Sequence, residues 1–273
     1  MADLIFEHSR VRVYHGDWRN IELPEASVDV TLTDPPYTGH VHANVRSITG
    51  GKVTEYDIPF DPLTEFSHVT EMLKVTKRWV LAFCALEQFG DYVTAAGGFR
   101  KRGEGETLAA YRARGAAYVR SGIWRKCQAA PAMHGKAPAN SCEGWALMLR
   151  RETNLGWNGG GTHAYLSSHE EDKGANFYVE DDLSVPSFIQ AGREKGKKRH
   201  PAQKPMALCQ RLATWFVNSG DIVLDAYAGS GNLAAAAFER GASVIVADTD
   251  PEWAAFLVER FEALAQLADE GKI

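Results

Sequence analysis

Residues 221–248 constrain this chain more than any other stretch. DIVLD (221–225) reads as a short, β-branched strand, AYAGSG as a glycine-rich turn, NLAAAAFER (232–240) as a helix, and ASVIVAD (242–248) as a second strand. Two nearly all-apolar strands joined through a helix are the pattern of a parallel sheet covered on both faces. A helix over about 205–217 precedes this unit, with Met206, Cys209, Leu212, Ala213 and Phe216 on one face and Gly220 closing it. A final helix follows, with Asp250 as N-cap, Pro251 at its first position, and Trp253, Leu257, Phe261 and Leu264 along one core stripe. The expected fold class is α/β, with a mostly parallel, doubly wound sheet.

The N-terminal part fits the same plan. VRVYHGD (11–17) and VDVTLTDPPY (28–37) read as buried strands, each ending in a loop at an aspartate. RWVLAFCAL (78–86) reads as a third strand, after an amphipathic helix near 65–76. The middle, about 85–199, is richer in glycine and charge. It holds RKRGEGE (100–106), a short helical segment TLAAYRARG, a hairpin built from AYVRSGIW (117–124) and GWALMLRR (144–151), the loop WNGGGTH (157–163), and the basic stretch GREKGKKR (192–199).

At 273 residues, 45% hydrophobic and 24% charged, the chain is too apolar to be disordered and too short for more than one large or two small domains. No apolar run approaches the roughly 20 residues of a membrane helix, and MADLIFEHSR lacks the apolar core of a signal peptide. Cys84, Cys127, Cys142 and Cys209 form no CxxC pair, so reduced thiols and a cytoplasmic location are expected, with Cys127 and Cys142 as packing residues. His40 and His42 have no companion ligands, and no metal is expected. Their segment reads either as a lid or as an ordinary loop. The net charge of −5, taken alone, speaks against nucleic acid.

Two motifs carry chemistry. In the first, Asp225 precedes a turn containing Gly229 and Gly231, and Asp248 ends the next strand, where a carboxylate takes a ribose diol in nucleoside-binding α/β folds. The GxGxxG dinucleotide fingerprint is missing, because Gly231 is followed by Asn232, Leu233 and Ala234, which weakens a nicotinamide reading. The second is Asp34-Pro35-Pro36-Tyr37 at a strand end. The exocyclic amine of adenine or cytosine is a poor nucleophile, because its lone pair is delocalised into the ring. A carboxylate and a proline-fixed carbonyl accepting its two N–H bonds would pyramidalise the nitrogen, and a tyrosine ring would stack an extruded base.

DPPY, HPAQKP (200–205) and VLDAYAGSGN (223–232), in that order, resemble the β group of S-adenosylmethionine-dependent amino-DNA methyltransferases, whose sheet is circularly permuted. The resemblance spans nearly the whole chain. It implies a permuted Rossmann-like methyltransferase fold with an antiparallel hairpin and a small recognition insert. Asp34, Pro35, Pro36 and Tyr37 would form the target-amine site. Gly229 and Gly231 would shape the loop under S-adenosylmethionine, with Asp225 at its strand end and Asp248 on the ribose. Asp17 would contact the cofactor's adenine, and Gln203 and Lys204 would lie near its methionine end. Ala226, Tyr227 and Asn232 depart from the family's usual Pro, Phe and Thr. Trp124, Lys126, Pro131 and Glu143 resemble its hairpin segment, where a structural role is expected.

The resemblance also sets expectations about the target. The family uses DPPY mostly for adenine N6 and SPPY more often for cytosine N4, so adenine N6 in double-stranded DNA is expected. Cytosine N4, or a DNA- or cofactor-binding protein without turnover, are the alternatives. Cytosine C5 chemistry needs a nucleophilic cysteine, usually after proline, and none of the 11 prolines precedes one. The expected catalytic domain is 1–97, 118–150 and 200–273, and the recognition insert 98–117 with 151–199. Residues 85–204 hold 18 basic and 13 acidic residues, a net +5, against −10 for the rest. That places positive charge where phosphates would be gripped, with Arg46, Arg112, Arg114, Trp157, Asn158, Lys197, Lys198 and Arg199 as DNA-contact candidates. So small an insert suggests a homodimer.

Overall fold

The computed structural model describes residues 1–37, 46–49, 52–55, 63–99, 103–113, 115, 117–126, 142–150, 157–160, 163–175 and 203–273, with backbone only for 46–49, 52–55, 111–113 and 170. The strands are β1 (Asp3–His8), β2 (Val11–His15), β3 (Val30–Thr33), β4 (Arg46–Thr49), β5 (Lys52–Glu55), β6 (Trp79–Cys84), β7 (Ala117–Arg125), β8 (Cys142–Leu149), β9 (Tyr165–Ser167), β10 (Ile222–Asp225) and β11 (Ser243–Asp248). The helices are α1 (Ser67–Val75), α2 (Phe89–Ala95), α3 (Leu108–Ala113), α4 (Met206–Phe216), α5 (Asn232–Glu239) and α6 (Pro251–Asp269). Among the described residues no helix is long and apolar enough to cross a membrane.

Nine strands form one sheet in the order β1-β2-β11-β10-β3-β6-β8-β7-β9, and β4 pairs with β5 as a separate hairpin. Within the sheet only β1 and β8 run against the rest. The central strands are apolar on both faces because both faces are covered. Val223, Val244 and Val246 pack beneath α4, α5 and α6, with Leu212, Phe216, Phe238, Leu257 and Phe261. Their neighbours Leu224, Ile245 and Ala247 point to the opposite layer, beside Val69, Met72 and Tyr92 of α1 and α2. Asp250 caps α6 by accepting from the Glu252 and Trp253 amides, as its position before Pro251 predicts.

Sheet order reverses between β10 and β3. On one side of that point lie β10, β11 and β2, and on the other β3, β6 and the β8–β7 hairpin. In open α/β sheets ligands bind in the crevice at such a switch point, outside the carboxyl ends of the strands. The strand carrying Asp34 comes first in the chain and those carrying Asp225 and Asp248 come last, the permuted order that the motif sequence implies.

Three elements depart from the sequence reading. The N-terminal LIFEH forms β1, an edge strand too exposed to show an apolar alternation. FGDYVTA forms the short helix α2. Arg46–Thr49, expected within a lid or loop, is a strand paired to β5, while His40 and His42 lie outside the described residues.

Candidate active site

Four adjacent parallel strands deliver four aspartates to one edge of the sheet: Asp17 just past β2, Asp248 ending β11, Asp225 ending β10, and Asp34 just past β3. Two subsites result, one around Asp225 and the glycine turn, the other around Asp34.

Asp225 is buried, and its partners are neutral. The Thr33 hydroxyl donates to Oδ1 at 3.0 Å, and the Tyr227 amide adds a second bond. Burial pushes its carboxyl up to about 7, with Asp34 and Asp248 adding to the rise. The turn beyond it is pinned from two sides. Asp248 Oδ2 accepts from the Gly229 amide at 2.7 Å and Oδ1 from Asp250 at 2.9 Å, leaving each oxygen a further lone pair for a hydroxyl donor. Gly231 caps α5 at φ 72°, and a Cβ there would fall 2.6 Å from Leu257 Cδ2. Arg260 donates to the Ser230 carbonyl and, at 2.7 Å, to Asn232 Oδ1. Asn232 in turn donates to the Lys204 carbonyl at 2.6 Å. An amide both accepts and donates with separate atoms, which accounts for asparagine in place of the family's threonine. Asp17 is gripped by the Arg19 guanidinium, at 3.0 Å from Nε and 2.6 Å from Nη2, and this bond holds its carboxyl below the usual range.

Around Asp34 the charges alternate. The Lys204 ammonium lies 2.5 Å from Asp34 Oδ2 and 3.0 Å from Glu143 Oε2, and Lys126 pairs with Glu143 Oε1. The Tyr37 hydroxyl lies 3.2 Å from Asp34 Oδ1 and 3.1 Å from Glu143 Oε2, with one proton serving both. Burial pushes Asp34 above its ordinary value while Lys204 pulls against it. Burial would also raise Glu143, but Lys204 and Lys126 outweigh it and draw the carboxyl down to about 2. Burial opposes the Lys204 charge too, yet the two carboxylates keep its ammonium above the ordinary range. Pro35 is buried, and the Tyr37 carbonyl is anchored by the Leu63 amide at 3.1 Å, which fixes the loop's course.

The geometry extends the sequence reading at Lys204 and Glu143. Lys204 reaches Asp34 with its side chain and Asn232, beside the glycine turn, with its carbonyl, so it joins the two subsites. Gln203 sits beside it, partly buried, in the extended lead into α4. Glu143, expected to be structural, stands inside the site. Its signal in the sequence is a lone acid at the mouth of an otherwise apolar strand.

Of the DNA-contact candidates, Trp157 and Asn158 are the ones whose side chains are described. Trp157 packs on Trp215 and Phe216, with ring centroids 5.8 and 5.2 Å away, and its indole donates to Gly160. Asn158 bonds the Trp215 carbonyl and Asn218. Both lie where β10 begins, at the opposite end of the sheet from Asp34. Arg112 is on α3, which leads into the start of β7 at that same opposite end, and Arg46 opens β4. Arg114, Lys197, Lys198 and Arg199 lie outside the described residues.

The permuted sheet, the glycine turn and the buried acid–lysine cluster together place two polar subsites at the carboxyl ends of the central strands. Residues 28–259 match the family described as DNA methylase, of the N6/N4 methyltransferase type, and the chain belongs to that family of S-adenosylmethionine-dependent amino-DNA methyltransferases. The Type II methyltransferase M.HpaI of Haemophilus parainfluenzae is 39% identical over 69 residues, 25% of this chain and 22% of that protein's length. The fold is similar to the crystal structure of the M1.HpyAVI–SAM complex, with TM-score 0.55, 15% identity, and 92% and 98% of the two chains covered. It is also similar to PvuII DNA methyltransferase (cytosine-N4-specific), with TM-score 0.60, 14% identity, and 94% and 88% covered.

The first subsite fits the methyl donor. S-adenosylmethionine bears a sulfonium and an ammonium, and Asp225 is a buried carboxyl whose hydrogen-bond donors among the described residues are neutral, with two further acids nearby.

Proposed function

We propose that this chain is a site-specific DNA adenine-N6 methyltransferase acting on an adenine extruded from duplex DNA. The observation that carries this reading is Asp34 beyond β3, beside the switch-point crevice that holds Asp225, with Tyr37 next to it. Aspartate in the first position of the tetrapeptide supports adenine over cytosine N4.

Asp225 would hold the cationic methionine portion, Asp248 the ribose hydroxyls and Asp17 the adenine amine, while Gly229 and Gly231 keep the turn low enough for close approach. S-adenosylmethionine supplies an electrophilic methyl. Asp34 and the Pro35 carbonyl would accept the two N–H bonds of the target amine, aiming its lone pair. Asp34 also receives the proton that the nitrogen must shed once it carries the methyl. Tyr37 would stack the base. This is catalysis by position and electrostatics, with no covalent protein intermediate.

The basic balance of residues 85–204 supports a duplex-gripping role for the insert, 98–117 with 151–199. Its small size supports a homodimer, which light scattering of the DNA-bound protein tests. A monomer would refute that part. The base itself is tested by methylating DNA, digesting it to nucleosides and separating them. N6-methyladenine is the expected product, and N4-methylcytosine would reverse the assignment.

A further inference from the structure

Lys204 occupies the place a target amine must take. Its ammonium is 2.5 Å from Asp34 Oδ2, and the Tyr37 hydroxyl is 3.2 Å from Oδ1, so both oxygens of the amine acceptor are engaged. The same ammonium already lies 3.0 Å from Glu143 Oε2. Glu143 keeps Lys126 on its other oxygen. Resting on the reading of Asp34 as amine acceptor, we propose that Lys204 stands in for the target amine. Glu143 is then the positioning residue that takes the ammonium over when the base arrives.

The physical argument has two parts. An ammonium that is 5% exposed cannot leave one carboxylate without another to receive it, because a buried unpaired charge is strongly unfavourable. Glu143 is within hydrogen-bond distance already, so the hand-over needs only a small turn of the terminal Lys204 torsions. The second part concerns the reaction. The attacking nitrogen acquires positive charge as it bonds the methyl, and a cation beside it opposes that charge. Moving Lys204 onto Glu143 frees Asp34 Oδ2, and the Glu143 carboxylate then offsets the opposing charge. Until then the ammonium keeps Asp34 ionised in a buried setting. The charged and titratable groups described around Asp34 are Tyr37, Cys84, Glu143, Lys204 and, further out, Tyr92, Lys126, Cys209 and Asp225.

The test uses the full chain, S-adenosylmethionine with a labelled methyl, and unmethylated genomic DNA. Glu143→Gln keeps the Tyr37 contact but removes the charge that receives Lys204. Its kcat is expected to fall about tenfold or more with cofactor affinity little changed, while the melting temperature falls because Lys126 and Lys204 lose a carboxylate. The double variant Glu143→Gln/Lys204→Met removes the trapped cation and is expected to be several-fold faster than Glu143→Gln alone, a non-additivity that a structural role does not produce. Lys204→Met alone is expected to lower the KM for DNA and to shift the acid limb of the pH–rate profile upward by about 1 unit, because Asp34 loses its cation. That single variant carries the test if Glu143→Gln fails to fold. If wild type transfers methyl while the double variant is no faster than Glu143→Gln, or Glu143→Gln is fully active, the hand-over is wrong and the amine site stands. An unchanged KM and pH profile for Lys204→Met also overturns the hand-over. If wild type transfers no methyl to DNA, the amine-site reading falls, and the hand-over with it.

Discussion

Thr33 and Asp225 stand 192 residues apart in the chain and are joined by a 3.0 Å hydrogen bond. The donor ends the strand that leads into the Asp34 loop, and the acceptor ends the strand that leads into the glycine turn. The Thr33 hydroxyl also accepts from the Tyr227 amide at 3.1 Å. Thr33→Val keeps the shape but strips a buried carboxylate of its hydroxyl donor. Stability is expected to drop by about 1–3 kcal/mol in urea denaturation, and cofactor binding near pH 7 to weaken as Asp225 takes up a proton more readily.

Asp225 makes both stability and cofactor binding depend on pH. Its carboxyl is raised from 3.8 to about 7 by burial. The folded state therefore binds this proton more tightly than the unfolded state, and the free enzyme loses stability as pH rises from about 4 to about 7. Asp225→Asn removes that loss. The variant is expected to melt higher than wild type at pH 8, with the gap narrowing as pH falls below 7 and closing near pH 4. A cationic ligand prefers the ionised carboxyl, so calorimetry of wild type is expected to show S-adenosylmethionine binding tighten as pH rises through 7, with proton release on binding. Affinity that is flat between pH 5.5 and 8 would contradict this role.

Gly231 is fixed by two independent demands, a left-handed backbone at φ 72° and the nearness of Leu257. Gly231→Ala is expected to lose about 1–2 kcal/mol from the backbone alone, and more from the contact with Leu257. At about 2–4 °C per kcal/mol, thermal denaturation resolves that change. Cofactor affinity is expected to fall with it, because the turn must shift.

Asn232 links Arg260 to the Lys204 carbonyl and so ties α6 to the segment that contacts Asp34. Asn232→Thr retains one of the two bonds at best. A stability loss of about 1 kcal/mol is expected, with a lower kcat and little change in DNA binding, read by steady-state kinetics.

Much of the fold could be read from the chain because its central strands are buried on both faces. VTLT, WVLAFC, IVLD and SVIVAD are continuous apolar or β-branched runs for that reason. The β1 strand carries no such signal, since most of its residues face solvent at the sheet's edge, and β9 has only three residues. Asp34, Tyr37, Asp225 and Asp248 were legible because each sits where a strand turns into a loop. Glu143 was not, because its partners come from Tyr37, Lys126 and Lys204, contacts that no local pattern encodes. The same reason explains Trp157 and Asn158. A tryptophan beside three glycines looks like a free loop, yet Trp215 and Phe216 provide an aromatic surface that draws it down.

The role of Asp34 is the claim on which everything else rests. The most direct measurement is methyl incorporation into duplex DNA by Asp34→Ala, beside wild type and with cofactor binding followed calorimetrically. The variant is expected to bind S-adenosylmethionine with near wild-type affinity and to transfer methyl at least about a hundredfold more slowly, the scale on which loss of one positioned polar group acts. Transfer by Asp34→Ala within a few-fold of wild type would contradict the account.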